Sequence, residues 1–233
     1  MQFIEKNSFN VRSSVYLMRK AGSGTAFLVF PMVHIGTRGF FEQVTERAQK
    51  CDLVLLEGVD SKRADVLTLS YRCVRLIKRM DLVTQQEAIR FESFRDKILN
   101  VDIKGEHFDK KWQSQSMSFR LLIYLMVPVY VVYLAFFGTR QIIAEYIAVE
   151  DLESSDEILL SDKDTEKLND ILLKDRDEII IKYISDLLTR DIGEAKIVAI
   201  LYGAVHMRNI VNYLSEVQGY RIVDSEWLTV FDL

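Results

Sequence analysis

The sequence predicts an α/β fold, with a mixed, largely parallel central sheet made from two similar β-α-β units and a helical insertion between them. Three observations predict it. The runs "TAFLVFPMVH", Thr25 to His34, and "KIVAILYGAVH", Lys196 to His206, are apolar at consecutive positions, as strands covered on both faces are. Each run is followed by a segment of helical period and then by another short strand pattern, which is the order of a parallel crossover unit. Between the two units, from about 61 to 160, the pattern reads as helix rather than strand.

Taken in order, "SVYLMRK" alternates and predicts a half-exposed strand, joined through the Gly-containing turn "AGSG" to the central strand that runs up to His34. After "HIGTRG", Phe40, Phe41, Val44 and Ala48 fall at helical spacing over Phe40 to Lys50. "DLVLLEG" is then a short apolar strand closed by Gly58, expected beside the first and parallel to it. Arg63 to Asp109 is mixed-charge and amphipathic in parts, and 151–170 is acidic and loop-like. "LNDILLKDRDEIIIKYISDLL" is a helix, and "KIVAILYGAVH" a strand ending on His206. Ile210, Val211 and Leu214 mark another helix, and "YRIV" is the last strand. The recurrence of strand, histidine and helix predicts an internal duplication within one domain, 1–233.

The segment Leu121 to Gly138, "LLIYLMVPVYVVYLAFFG", carries no charge and is flanked by Arg120 and Arg140, which meets the length criterion for a membrane span. A single crossing would put His34 and Glu57 on one side and His206 on the other, so the two units could not share a sheet. The expectation is therefore helical structure that folds back, with a break at Pro128. Its apolar surface predicts either a homodimer contact or a peripheral membrane contact through 121–138.

A formal charge of -4 with acids and bases interleaved offers no basic stripe for a phosphate backbone, which speaks against nucleic acid as a partner. Two cysteines, Cys51 and Cys73, have no CxxC spacing, and "MQFIEKNSFNVRSS" shows no secretory leader. A cytoplasmic protein is expected, membrane-associated if 121–138 meets lipid.

Four side chains stand out chemically. His34 and His206 each close an apolar strand, where the loops of a parallel sheet gather over a ligand site. Glu57, after Leu53 to Leu56, would reach the same edge, where a buried carboxylate requires a cation or metal. Arg176 shares a helix face with Leu168, Leu172, Ile180, Tyr183 and Leu187, so it points inward and demands an anionic partner. His107, in "KGEHFDKKW", reads as a surface residue with a lid ligand as the alternative, and Glu226 as structural.

Together these residues resemble the TraB/Tiki superfamily, which includes TraB, the pheromone-shutdown protein PrgY, GumN, the Tiki metalloproteases and distant erythromycin-esterase-like and ChaN-like proteins. "GAVHM" is similar to the family's second GxxH motif, "LLEG" supplies its glutamate, and "KDRDEIIIKYISDLL" looks like its arginine helix. In the first motif, "PMVH", Pro31 stands where the family prefers glycine. The resemblance implies a metal-dependent hydrolase, of peptide bonds in Tiki proteins. It would have a divalent ion of the Mn, Co or Zn class on His34, His206 and Glu57, and Glu57 and Arg176 in catalysis. The substrate would be a peptide or small molecule. The alternative is a non-catalytic peptide- or small-ligand-binding regulatory protein on the same fold, which Pro31 favours.

Overall fold

The computed structural model describes residues 1–151, 167–189 and 196–233; most of the acidic stretch 151–170 lies outside them. The main sheet contains β1 (Ile4–Lys6), β2 (Asn10–Arg19), β3 (Thr25–Met32), β5 (Leu53–Leu56), β7 (Ile98–Asn100), β8 (Lys196–Gly203) and β9 (Arg221–Asp232). β4 (Ile35–Gly36) and β6 (Val83–Thr84) form a separate small antiparallel pair. β3, β8, β5 and β7 lie side by side and parallel, in that order. β2 joins β3 antiparallel and carries β9 along its whole length, so β1 and β3 share its other edge. The fold is thus α/β with a mixed, mostly parallel sheet flanked by helices.

Alternation along the central strands divides two cores. Leu28, Phe30 and Met32, Ala199 and Leu201, and Val54 and Leu56 face one core, which is closed by α1 (Arg38–Ala48). Phe27 and Val29, Val198, Ile200 and Tyr202, and Leu55 face the other. There Ile180, Ile184, Met207 and Ile210 cover them from two helices, Asp175–Thr189 and Ala204–Asn212. The helices α2 (Lys62–Leu67), α3 (Leu69–Val74), α4 (Gln85–Ala88), α5 (Gly105–Gln113), α6 (Met117–Phe137) and α7 (Arg140–Asp151) lie between β5 and β8. The two covering helices are α8 (Asp175–Thr189) and α9 (Ala204–Asn212).

Several expectations need correction. β3 and β5 are not neighbours, because β8 inserts between them and pairs parallel with both. The region 61–160 is not wholly helical, since "ILN" forms β7 beside β5. β2 is mostly buried rather than half exposed: Ser13 and Ser14 are inside because their hydroxyls bond Pro31 O at 2.6 Å and Phe3 O at 3.0 Å. The last strand runs far beyond "YRIV", as antiparallel pairing with β2 continues to Asp232.

The apolar segment does not break at Pro128. α6 is one continuous helix, and Pro128 is on its exposed side, so its ring is accommodated without a break in the helix. The chain turns at Gly138, where a Cβ would collide with the Leu134 carbonyl, and α7 follows.

Candidate functional site

At the carboxyl ends of β5, β7 and β8 the alternation that buries Leu53 and Leu55 turns the next odd-numbered side chain, Glu57, toward α8 and α9. Arg176 reaches it from the first turn of α8, with 11% of the Arg176 side chain and 10% of the Glu57 side chain exposed. The guanidinium spans two acids. Nε donates to Asp102 Oδ1 at 2.8 Å, and Nη2 donates to Asp102 Oδ2 at 2.7 Å and to Glu57 Oε1 at 2.5 Å. The demand of an inward arginine for anions is met twice over.

Asp102 arrives just past β7 and is fully buried at its side chain. It accepts the backbone N–H of Gly58 at 2.8 Å and of Ile103 at 2.7 Å as well as Arg176. This residue was missed from the sequence. Its one local signal was the acid that follows the short run "ILNV", which Asn100 interrupts and which is too brief to mark a strand.

Glu57 Oε2 accepts the backbone N–H of Gly203, and a Cβ on Gly203 would stand only 2.9 Å from that oxygen. Glycine in "GAVH" therefore lets a carboxylate rest on the backbone. Burial by itself would raise the Glu57 pKa from its ordinary value of 4.5. Arg176 first, then the neighbouring His206 and His34 and the Gly203 N–H, outweigh it and hold it down to about 2. Burial pushes Arg176 the other way from Glu57 and Asp102, whose charges win and raise its pKa. Tyr202 is raised by burial first and then by Asp102 and Glu57; its hydroxyl donates to Val101 O at 2.6 Å.

His206 does not end a strand. β8 stops at Gly203, which caps α9, and His206 occupies the first turn of that helix with 1% exposure. Its Nδ1 lies 2.7 Å from Asp177 Oδ1, and its Nε2 lies 3.8 Å from Glu57 Oε1. Asn209 Nδ2 donates to Asp177 Oδ2 at 2.5 Å, so the acid is held from both sides. Asp177 follows Arg176 directly on α8, and the pair sends one charge to Glu57 and the other to His206. Asp177 and Asn209 were also missed from the sequence, although the spacing of Asn209 three residues after His206 puts both on one helix face.

The structure brings Glu57, Arg176 and His206 together and leaves His34 at the margin. Val33 and Ile35 are both buried in the first core, and His34 between them is exposed in the turn from β3 to β4. It is still near enough to help hold the Glu57 carboxyl low. His107 is exposed on α5, and Glu226 pairs with Arg47 at 2.6 Å, tying β9 to α1.

No family model, curated protein or solved structure matches this chain.

Among the described residues no three His, Cys, Asp or Glu side chains are grouped to hold a metal ion. The chemistry of the donors gives the reason. Glu57 accepts from Arg176 and the Gly203 N–H, His206 holds Asp177 through Nδ1 and turns Nε2 toward Glu57, and His34 is exposed at the turn after β3. His34, Glu57 and His206, the set expected from the resemblance, are therefore not gathered as three ligands of one ion. Cys51 and Cys73 are free thiols, and burial pushes the Cys51 thiol up to about 11.

Proposed function

We propose that this chain is a hydrolase of peptide or small acyl substrates, with His206 as the general base and Glu57 as its partner in holding a water. The observation that carries the reading is the line Asp177, His206, Glu57. With His206 neutral, Asp177 accepts Nδ1–H and the Nε2 lone pair faces a carboxylate that stays ionised. Two acceptors 3.8 Å apart repel unless something donates to both. A water giving one proton to each satisfies them and keeps its own lone pairs for a carbonyl.

Of the roles open to Arg176, holding Glu57 ionised and in place suits its contacts best, because Nε and Nη2 are committed to Glu57 and Asp102. His34 is exposed at this end of the sheet, and in this reading it meets the incoming substrate. The family proposed is TraB/Tiki, on the strength of Glu57, Arg176 and "GAVH" and the contact between Glu57 and Gly203. The compartment proposed is the cytoplasm, where the two free thiols would persist.

One observation favours the binding reading instead: Arg176 spends its strongest donors within the protein, as in a scaffold that presents a site without turnover. A panel of short peptides and small esters separates the two. Turnover by purified protein, with and without chelator and with added Mn, Co or Zn, that is lost in His206→Gln supports the hydrolase. Saturable binding without turnover under all these conditions supports the binder.

A further inference from the structure

α6 presents its surface in two unequal parts. Ile123, Val127, Tyr130 and Leu134 form an inward stripe at helical spacing, against α2 and α3. The rest of the helix is apolar and exposed, including Leu121 at 55%, Leu125 at 60%, Val129 at 68%, Val132 at 55% and Phe136 at 74%. An 18-residue window of it has a mean hydropathy of 2.0 and is only 6% buried. By length and composition α6 is able to cross a membrane. Topology forbids a single crossing, because β7 before it and β8 after it belong to one sheet.

Two features of the neighbouring chain identify what covers this face. The segment packed against α6 exposes Arg72, Arg75, Lys78 and Arg79, four cations within eight positions of a chain whose formal charge is -4. Arg72 has Asp65 at 3.5 Å, and Arg79 donates to the Gly138 carbonyl at 2.8 Å, which fixes it at the carboxyl end of the helix. A hollow of ≈ 420 Å³ opens at the same junction, with apolar walls from Leu76, Ile77, Val131 and Ala135 and with Lys78 and Arg79 beside them. An apolar hollow beside cations suits an anionic amphiphile.

We propose that α6 and the basic segment Arg72–Arg79 form a docking surface for an anionic lipid bilayer, with the helix lying in the plane of the interface. The exposed stripe enters the boundary between headgroups and acyl chains, and Tyr124 and Tyr133 lie at its sides, where amphipathic rings are favoured. The four cations meet lipid phosphates. A second copy fits less well, because a self-complementary contact brings the same cations again rather than acids to meet them.

Co-sedimentation of the full chain with vesicles tests this, using phosphatidylcholine alone and phosphatidylcholine mixed with phosphatidylglycerol. The protein is expected to pellet with the mixed vesicles and much less with the neutral ones, and added salt should weaken binding. Val129→Glu, on the exposed face and therefore compatible with folding, should lower partitioning by more than about tenfold. Arg75→Glu with Lys78→Glu should lose the preference for anionic vesicles, at about fivefold per cation removed, while far-UV circular dichroism stays unchanged. Failure to pellet with either vesicle overturns the proposal. So does a dimer, seen in sedimentation equilibrium, that Val129→Glu dissociates while vesicle binding is absent.

Discussion

Replacing Glu57 by glutamine removes the carboxylate whose pKa falls from 4.5 to about 2 in the folded chain, and the size of that shift sets the expected effect. A group depressed by this much contributes about 3 kcal/mol to folding at neutral pH. The sign follows from protonation. The contribution is complete above the ordinary value of 4.5 and disappears as the pH falls through about 2, where the folded form must also take up the proton. Arg176 keeps Asp102 in the variant, so no unpaired guanidinium adds to the cost. Urea unfolding of both proteins, followed by circular dichroism from neutral pH downward, should show wild type more stable by about 3 kcal/mol at neutral pH. The two curves should converge on acidification, wild type losing up to about 1.4 kcal/mol more per pH unit. Curves that stay parallel through that window, or coincide throughout, would refute the reasoning.

Asp102→Asn leaves Arg176 with a single carboxylate and puts an amide where four N–H groups donate, so it should destabilise by about 3 kcal/mol or more, read from the urea midpoint. Gly203→Ala forces apart a Cβ and an oxygen that would stand 2.9 Å from each other, with Glu57 tied by Arg176; a cost of about 1–3 kcal/mol should lower the melting temperature by several degrees. Pro128→Ala, on the exposed side of an unbroken helix, should restore a backbone bond and raise the melting temperature, whereas a functional kink at this point would make the same change neutral or harmful.

The central strands were legible because β3, β5 and β8 are apolar at successive positions and leave no alternative to burial on both faces. α1 was legible from the spacing of Phe40, Phe41, Val44 and Ala48, all of which are buried. Arg176 could be read as inward from its helical neighbours, since periodicity reports orientation directly. Asp102 could not be read in the same way: β7 is three residues long, too short for a pattern, and the pairing that makes it a strand is with β5, distant in sequence. His206 was placed on a strand because "YGAVH" is apolar throughout. β8 ends at Gly203, which caps α9 while its amide donates to the Glu57 carboxylate, a tertiary contact that the local sequence does not show. The order of β3, β8 and β5 depends likewise on long-range pairing. For α6 the break expected at Pro128 failed because the sequence shows the missing donor and not the solvent-facing side on which it falls.

The central claim is that Asp177, His206 and Glu57 form a working acid–base line rather than a structural network. Asp177→Asn tests it most directly, since an asparagine here keeps the shape and removes the charge that His206 Nδ1 and Asn209 Nδ2 face. On any ester or peptide that wild type turns over, the account predicts that Asp177→Asn lowers kcat by about a hundredfold or more, with little change in KM and with substrate binding retained by calorimetry. Unchanged kcat in a folded Asp177→Asn protein, or no turnover of the whole panel by wild type, would contradict it.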